Sequence, residues 1–228
     1  MKNKNIVYRI LILFVLVSLV TNMACLFIRN SVITQEKLKA EYTVKSTIDR
    51  VETKLETYIE KVQFLKKTIE SGIVLDDAYF QSIASRLYGD DPAIKTIELA
   101  PNGVIQNVYP LKENENVIGM NMLTERDRKQ AATLAKDTKK YTLEGPYDLK
   151  QGGKGALLYD PIYVNDEFWG FSILVIDWDE FLTEIHLSDL EKASYDYIIW
   201  KTDRITKDKI IISKSTNEID TNTLSVSY

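Results

Sequence analysis

Ile94-Lys95-Thr96-Ile97-Glu98-Leu99-Ala100-Pro101-Asn102-Gly103-Val104-Ile105-Gln106-Asn107-Val108-Tyr109 decides the fold. The first six residues alternate apolar and polar, the pattern of a half-buried strand. Ala100-Pro101-Asn102-Gly103 then reads as a turn. Pro fixes one backbone angle, and Asn-Gly accepts unusual ones. Val104 to Tyr109 returns as a second strand. A hairpin here commits this part of the chain to an antiparallel sheet.

Downstream the texture stays mixed. Thr124 to Asp137 reads as a helix bearing Ala131, Ala132, Leu134 and Ala135. Tyr147 to Leu149 leads into a tight turn, Gln151-Gly152-Gly153-Lys154-Gly155. Ala156 to Tyr163 and Phe168 to Ile176 read as strands joined by the polar turn Asn165-Asp166-Glu167. Asp177 opens a helix to about Leu187, and Glu180 three residues on makes an Asp-x-x-Glu capping box. Tyr195 to Trp200 and Ile210 to Ser213 are further strands. Leu224-Ser225-Val226-Ser227-Tyr228 alternates again, like the start of a strand, so the sequence is expected to be part of a longer protein.

Upstream of the hairpin, Asp76 to Leu87 reads as a short helix capped by Asp76 or Asp77 and stopped near Gly89. Before it no Pro occurs, and the first Gly is Gly72. Val44, Ile48, Val51, Leu55, Tyr58, Val62, Leu65 and Ile69 alternate spacings of four and three on one long helix. Two readings fit that stripe. It is either the seam of a homodimer, running up from a membrane, or the face by which the helix packs on its own domain.

The membrane reading comes from Ile10 to Ile28, a run of 19 residues without a charge. As a helix it spans a bilayer core. Lys2, Lys4 and Arg9 precede it and Arg29 closes it. A basic flank stays in the cytoplasm, so the chain after Arg29 is expected outside. A cleaved signal peptide is disfavoured. Signal cores are about 7–15 residues, and Asn22-Met23-Ala24-Cys25 is a poor cleavage site.

Composition narrows the function. The chain is 27% charged and 45% hydrophobic, which suits a folded domain rather than disorder. Four of its 29 basic residues and no acid lie in residues 1–30, so the remainder carries 25 basic against 33 acidic residues. That acidic exterior argues against nucleic acid and anionic lipid as partners. Cys25, the only cysteine, lies in the apolar run, so the exterior has no disulfide to hold it. No His/Cys cluster suggests a metal site. Gln151 to Gly155 lacks the order of a phosphate loop. His186, the single histidine, reads as a late helix residue beside the C-terminal dipole, and Asp177 with Asp179 as helix-start acids. No catalytic constellation and no cofactor are expected.

The stretch from Ile97 to Phe181 resembles the CHASE domain, an extracytoplasmic sensor module of histidine kinases and cyclases. The resemblance rests on Ile97-Glu98-Leu99-Ala100-Pro101-Asn102-Gly103-Val104, Val108-Tyr109-Pro110-Leu111, Asn114, Ile118-Gly119-Met120 and Ala135-Lys136-Asp137-Thr138. It continues through Gly145-Pro146, Leu149, Gln151-Gly152-Gly153, Gly155, Pro161-Ile162-Tyr163, Phe168-Trp169-Gly170-Phe171 and Ile176-Asp177. Members are similar in having a membrane helix, a stalk helix, two stacked PAS-like subdomains, a second membrane helix and a cytoplasmic output domain. In plant relatives that bind adenine-type hormones, an Asp in the helix before the Gly-Pro segment contacts the base. Asp127 and Arg128 fall at that place here. Lys150 stands where an apolar wall is expected and Tyr159 where a small hydroxyl residue is, so a smaller or more polar ligand is implied.

The expectation is therefore an α+β chain. It has a cytoplasmic N-terminus over 1–9, a transmembrane helix over 10–28, a stalk or dimerisation helix over 30–75, and a sensor domain over 76–228. That domain has a PAS-like antiparallel sheet, with a second PAS-like part truncated at its C-terminus. The expected function is small-molecule sensing at the cell membrane, passed to an output domain beyond residue 228. Asp127, Arg128, Leu149, Leu157, Tyr159 and Phe171 are the candidate ligand-binding residues, with Leu157 and Phe171 equally readable as plain core and Arg128 as a solvated helix residue. The rival expectation is a single-span binding or adhesion protein without output.

Overall fold

The computed structural model describes residues 2–202 and 207–215. The alternation at 224–228 lies outside the described residues. Helix α1 runs Lys2–Glu70. It ends where Ser71 and Gly72 turn back on Lys67 and Ile69, with Gly72 at φ +86°. Helix α2, Asp77–Tyr88, starts on Asp76, whose carboxylate accepts from Tyr79 N at 2.8 Å, and stops at Gly89.

Strands β1 (Ile94–Pro101), β2 (Asn107–Tyr109), β3 (Thr142–Asp148), β4 (Lys154–Val164) and β5 (Glu167–Asp177) form one antiparallel sheet in the order β2-β1-β5-β4-β3. The expected hairpin is present, with Asn102 and Gly103 at φ 55° and 83° in its turn. Gly170 on β5 faces Pro101, and a Cβ there would meet the Ala100 carbonyl oxygen at 2.3 Å. Only glycine lets the two strands approach so closely.

The described residues fall into two compact units, one before Thr47 and the other from Thr47 onward. The first holds the apolar run, whose side chains from Tyr8 to Ile28 are exposed. Thr21 Oγ1 there donates to the Val17 carbonyl at 2.8 Å, so the hydroxyl is satisfied within the helix itself. α1 is long and apolar enough to cross a membrane.

The second unit has two cores, one on each face of the sheet. On one face Tyr58, Val62, Leu65 and Ile69 of α1 pack with Phe80 and Ala84 of α2, and with Ile97, Leu99, Leu158, Ile162, Leu174 and Ile176 from the strands. The heptad stripe thus serves its own domain from Val51 onward, the second of the two readings. Lys54 seals the edge by pairing with Asp91 (2.9 Å) and Glu184 (3.2 Å). Lys61 donates to the Leu87 carbonyl.

The opposite face is covered by helix α3 (Lys129–Thr138), by Ile105 between β1 and β2, and by the segment from Pro110 to Arg128, which includes a short 3-10 turn at Glu115–Val117. This corrects the half-buried reading of the 94–99 strand: Thr96 and Glu98 are buried too. α3 starts five residues later than the pattern suggests, because 124–128 form turns that bring Arg128 inward at the N-cap. The expected 177–187 helix is two. α4 (Trp178–Glu184) keeps the Asp177 cap on Glu180 N, and α5 (Ser188–Lys192) follows a break at His186, which is exposed at φ 55°. Beyond them β6 (Ile198–Thr202) and β7 (Lys209–Lys214) pair as a two-stranded antiparallel sheet.

Candidate ligand-binding layer

The layer between the sheet and α3 is built by period-two alternation. β4 turns Leu157 and Tyr159 into it, β5 Phe171, Ile173 and Val175, and β1 Ala100. Thr96 and Glu98 share the Ala100 face. Three small residues of α3, Ala131, Ala132 and Ala135, lie against these side chains and let the helix come close. Tyr159 meets Phe171 edge-on with centroids 5.9 Å apart, and Phe171 meets Phe168 at 5.0 Å. The Tyr159 hydroxyl lies 3.9 Å from Met122 Sδ, a weak acceptor.

Two charged side chains enter this apolar layer. Arg128 is 5% exposed. Its guanidinium stacks 4.0 Å from the Tyr147 ring centroid, and Nη2 donates to the Asp148 carbonyl at 3.1 Å. Nη1 is buried without a partner. Glu98 is 1% exposed. It accepts from Thr96 Oγ1 at 2.7 Å. Burial pushes its carboxyl up to about 7, against the opposing pull of the Thr96 hydrogen bond and of Arg128. Burial likewise raises the Tyr159 phenol well above its ordinary range, with Arg128 opposing.

Of the residues the sequence singled out, the structure brings Arg128, Leu149, Leu157, Tyr159 and Phe171 into or against this layer. Asp127, next to Arg128, is exposed. Sequence reasoning missed Glu98, Tyr147 and Met122. The signal for Glu98 was its parity with Ala100: an apolar residue two positions on shows that this strand face is covered as well.

Five antiparallel strands in this order, a long helix gripping one face and a mixed polar layer on the other define a PAS-like sensory fold. The chain belongs to the CHASE domain family, whose sequence model matches residues 75–209, and is thereby a sensory ligand-binding domain. No match was found among curated proteins. Among solved structures the chain is similar to an extracellular ligand-binding receptor from Desulfohalobium retbaense, with TM-score 0.55 and 14% identity. That match covers 70% of this chain and 28% of the receptor. It is also similar to the ligand-binding domain of the Campylobacter jejuni chemoreceptor Tlp3 in complex with L-norvaline, with TM-score 0.54 and 13% identity over 68% of this chain and 63% of that one. A third similar structure is the ligand-binding domain of the Pseudomonas aeruginosa amino acid chemoreceptor PctC with GABA, with TM-score 0.50 and 12% identity over 72% of each chain. At such identities the likeness is one of fold. The chain spans less than two thirds of the length of the first two.

Proposed function

We propose that this chain is the extracytoplasmic sensing segment of a membrane signal-transduction receptor. Residues 10–28 anchor it, residues 1–9 lie in the cytoplasm, and residues 76–228 form the sensor, with no catalysis of its own. A small polar molecule binds in the layer formed by Arg128, Leu149, Leu157, Tyr159 and Phe171, and an output domain follows residue 228. The observation that carries this reading is an unpartnered buried guanidinium nitrogen, Arg128 Nη1, in the core of a CHASE domain. A buried donor with no acceptor costs about 1–3 kcal/mol, and a ligand that supplies the acceptor recovers that cost. The small polar ligands of the Tlp3 and PctC structures support the same class.

Binding shifts the receptor only as far as the ligand prefers one of two states. Because Tyr58 to Ile69 pack on the sheet, homodimer contacts along α1 fall to other residues; Val32, Ile33, Leu38 and Tyr42 are exposed before it. The test is thermal unfolding of the detergent-solubilised chain against a panel of small polar metabolites. A saturable rise in Tm that is lost in Leu157→Trp, which fills the layer, supports the reading. Identical responses of wild type and Leu157→Trp across the panel count against it.

A further inference from the structure

The ligand's chemistry follows from the two charges in the layer, given the reading of that layer as the ligand site. Glu98 and Arg128 come from different elements, β1 and the start of α3, and both are more than nine-tenths buried. They attract each other, yet no ion pair joins them among the described residues. Arg128 spends one nitrogen on the Asp148 carbonyl and keeps Nη1 unfilled. Thr96 supplies Glu98 with one hydrogen bond, and a carboxylate accepts up to four. Opposite charges that share an apolar layer without touching offer separate poles to a guest. An uncharged molecule would leave both charges uncompensated, and an anion alone would require Glu98 to stay protonated.

We propose that the layer takes a small zwitterion, its anionic group on Arg128 Nη1 and its ammonium group on Glu98. The guest is electrically neutral overall, so loading it adds no net charge to the buried layer. Leu157, Tyr159 and Phe171 supply apolar walls for whatever lies between or beside the two poles. The ammonium group needs Glu98 ionised. The groups that act electrostatically on one another here are Glu98, Arg128, Tyr147, Tyr159 and Glu144. Zwitterion binding therefore tightens as pH rises through neutrality, whereas a lone anion, held by Arg128 with protonated Glu98, weakens over the same range.

The experiment is thermal unfolding of the full detergent-solubilised chain with three probes: L-alanine, propionate, which lacks the ammonium, and ethylamine, which lacks the carboxylate. The expected result is a saturable rise of about 5 °C with L-alanine, larger at pH 8 than at pH 6. Propionate and ethylamine each need at least about tenfold higher concentration for any rise, a difference of one pole. Arg128→Gln and Glu98→Gln each abolish the L-alanine response. If either variant fails to melt cooperatively, the three-probe comparison on the unaltered chain decides. Equal responses to L-alanine and propionate overturn the proposal, as does no response to L-alanine, which leaves the poles to buried water. A ligand from another class that is lost in Leu157→Trp but kept in both Gln variants also overturns it, while leaving the layer as the ligand site. Loss in none of the three variants removes the layer as well.

Discussion

Tyr159 and Asp160 are neighbours on β4 that serve opposite faces of the sheet. Tyr159 is fully buried against Phe171 in the layer under α3, while Asp160 accepts from Lys66 Nζ of α1 at 3.0 Å. One strand thus touches both the layer under α3 and helix α1. Burial raises the Asp160 carboxyl above its ordinary range despite Lys66, and its Oδ2 has no partner.

The Lys66–Asp160 pair should be costly to break from one side. Lys66→Met leaves a carboxylate that is 3% exposed without its cation, and about 3 kcal/mol of stability is expected to go. Adding Asp160→Leu should return much of that loss, because an apolar pair replaces a stranded charge. A double-mutant cycle by thermal or denaturant unfolding measures both.

Glu98 should give the domain a pH dependence of definite sign. Its carboxyl is raised from an ordinary 4.5 to about 7 in the folded chain. Between those values the unfolded chain has lost its proton while the folded chain still holds it. Stability therefore falls as pH rises from 4.5 to 7 and levels off above, by about 3 kcal/mol in all. Glu98→Gln, which cannot ionise, should lose this slope. Unfolding curves of both proteins from pH 4 to 8, without ligand, check it through their difference.

Substitutions in the stripe of α1 should act on the fold. Leu65 is fully buried among the helices and strands, so Leu65→Ala is expected to cost about 2–5 kcal/mol. Val62→Asp, an unpaired charge in the same place, should prevent a cooperative melt. Were this stripe a seam between chains, both variants would instead fall apart into folded monomers. Light scattering together with circular dichroism separates the outcomes.

Sidedness is open to direct labelling. In a Cys25→Ser background, Glu113→Cys sits on a side chain 83% exposed, in the sensor unit. An impermeant maleimide should label it on intact cells. Labelling only after permeabilisation would put the sensor inside and reverse the expected orientation.

The sequence made the strands and caps legible because their signals are local. Asp76, Gly89, Asn102-Gly103 and Asp177 each act within a turn of their own position, and each does so in the structure. Arg128 and Glu98 were harder. Their burial depends on the segment between β2 and α3 folding over the second sheet face, and apart from the parity of Glu98 with Ala100 no spacing within β1 or α3 encodes that cover. The heptad stripe was ambiguous for a related reason: an apolar face looks the same whether a second chain or the chain's own sheet will cover it.

Because the sheet is buried on both faces, each strand carries two messages interleaved one residue at a time. Leu157 and Tyr159 face the layer under α3, while Leu158 and Asp160 face α1. A gene copy can exchange the first set, and with it the layer under α3, without rewriting the second. The two layers are thus separately heritable, though a single codon parts them.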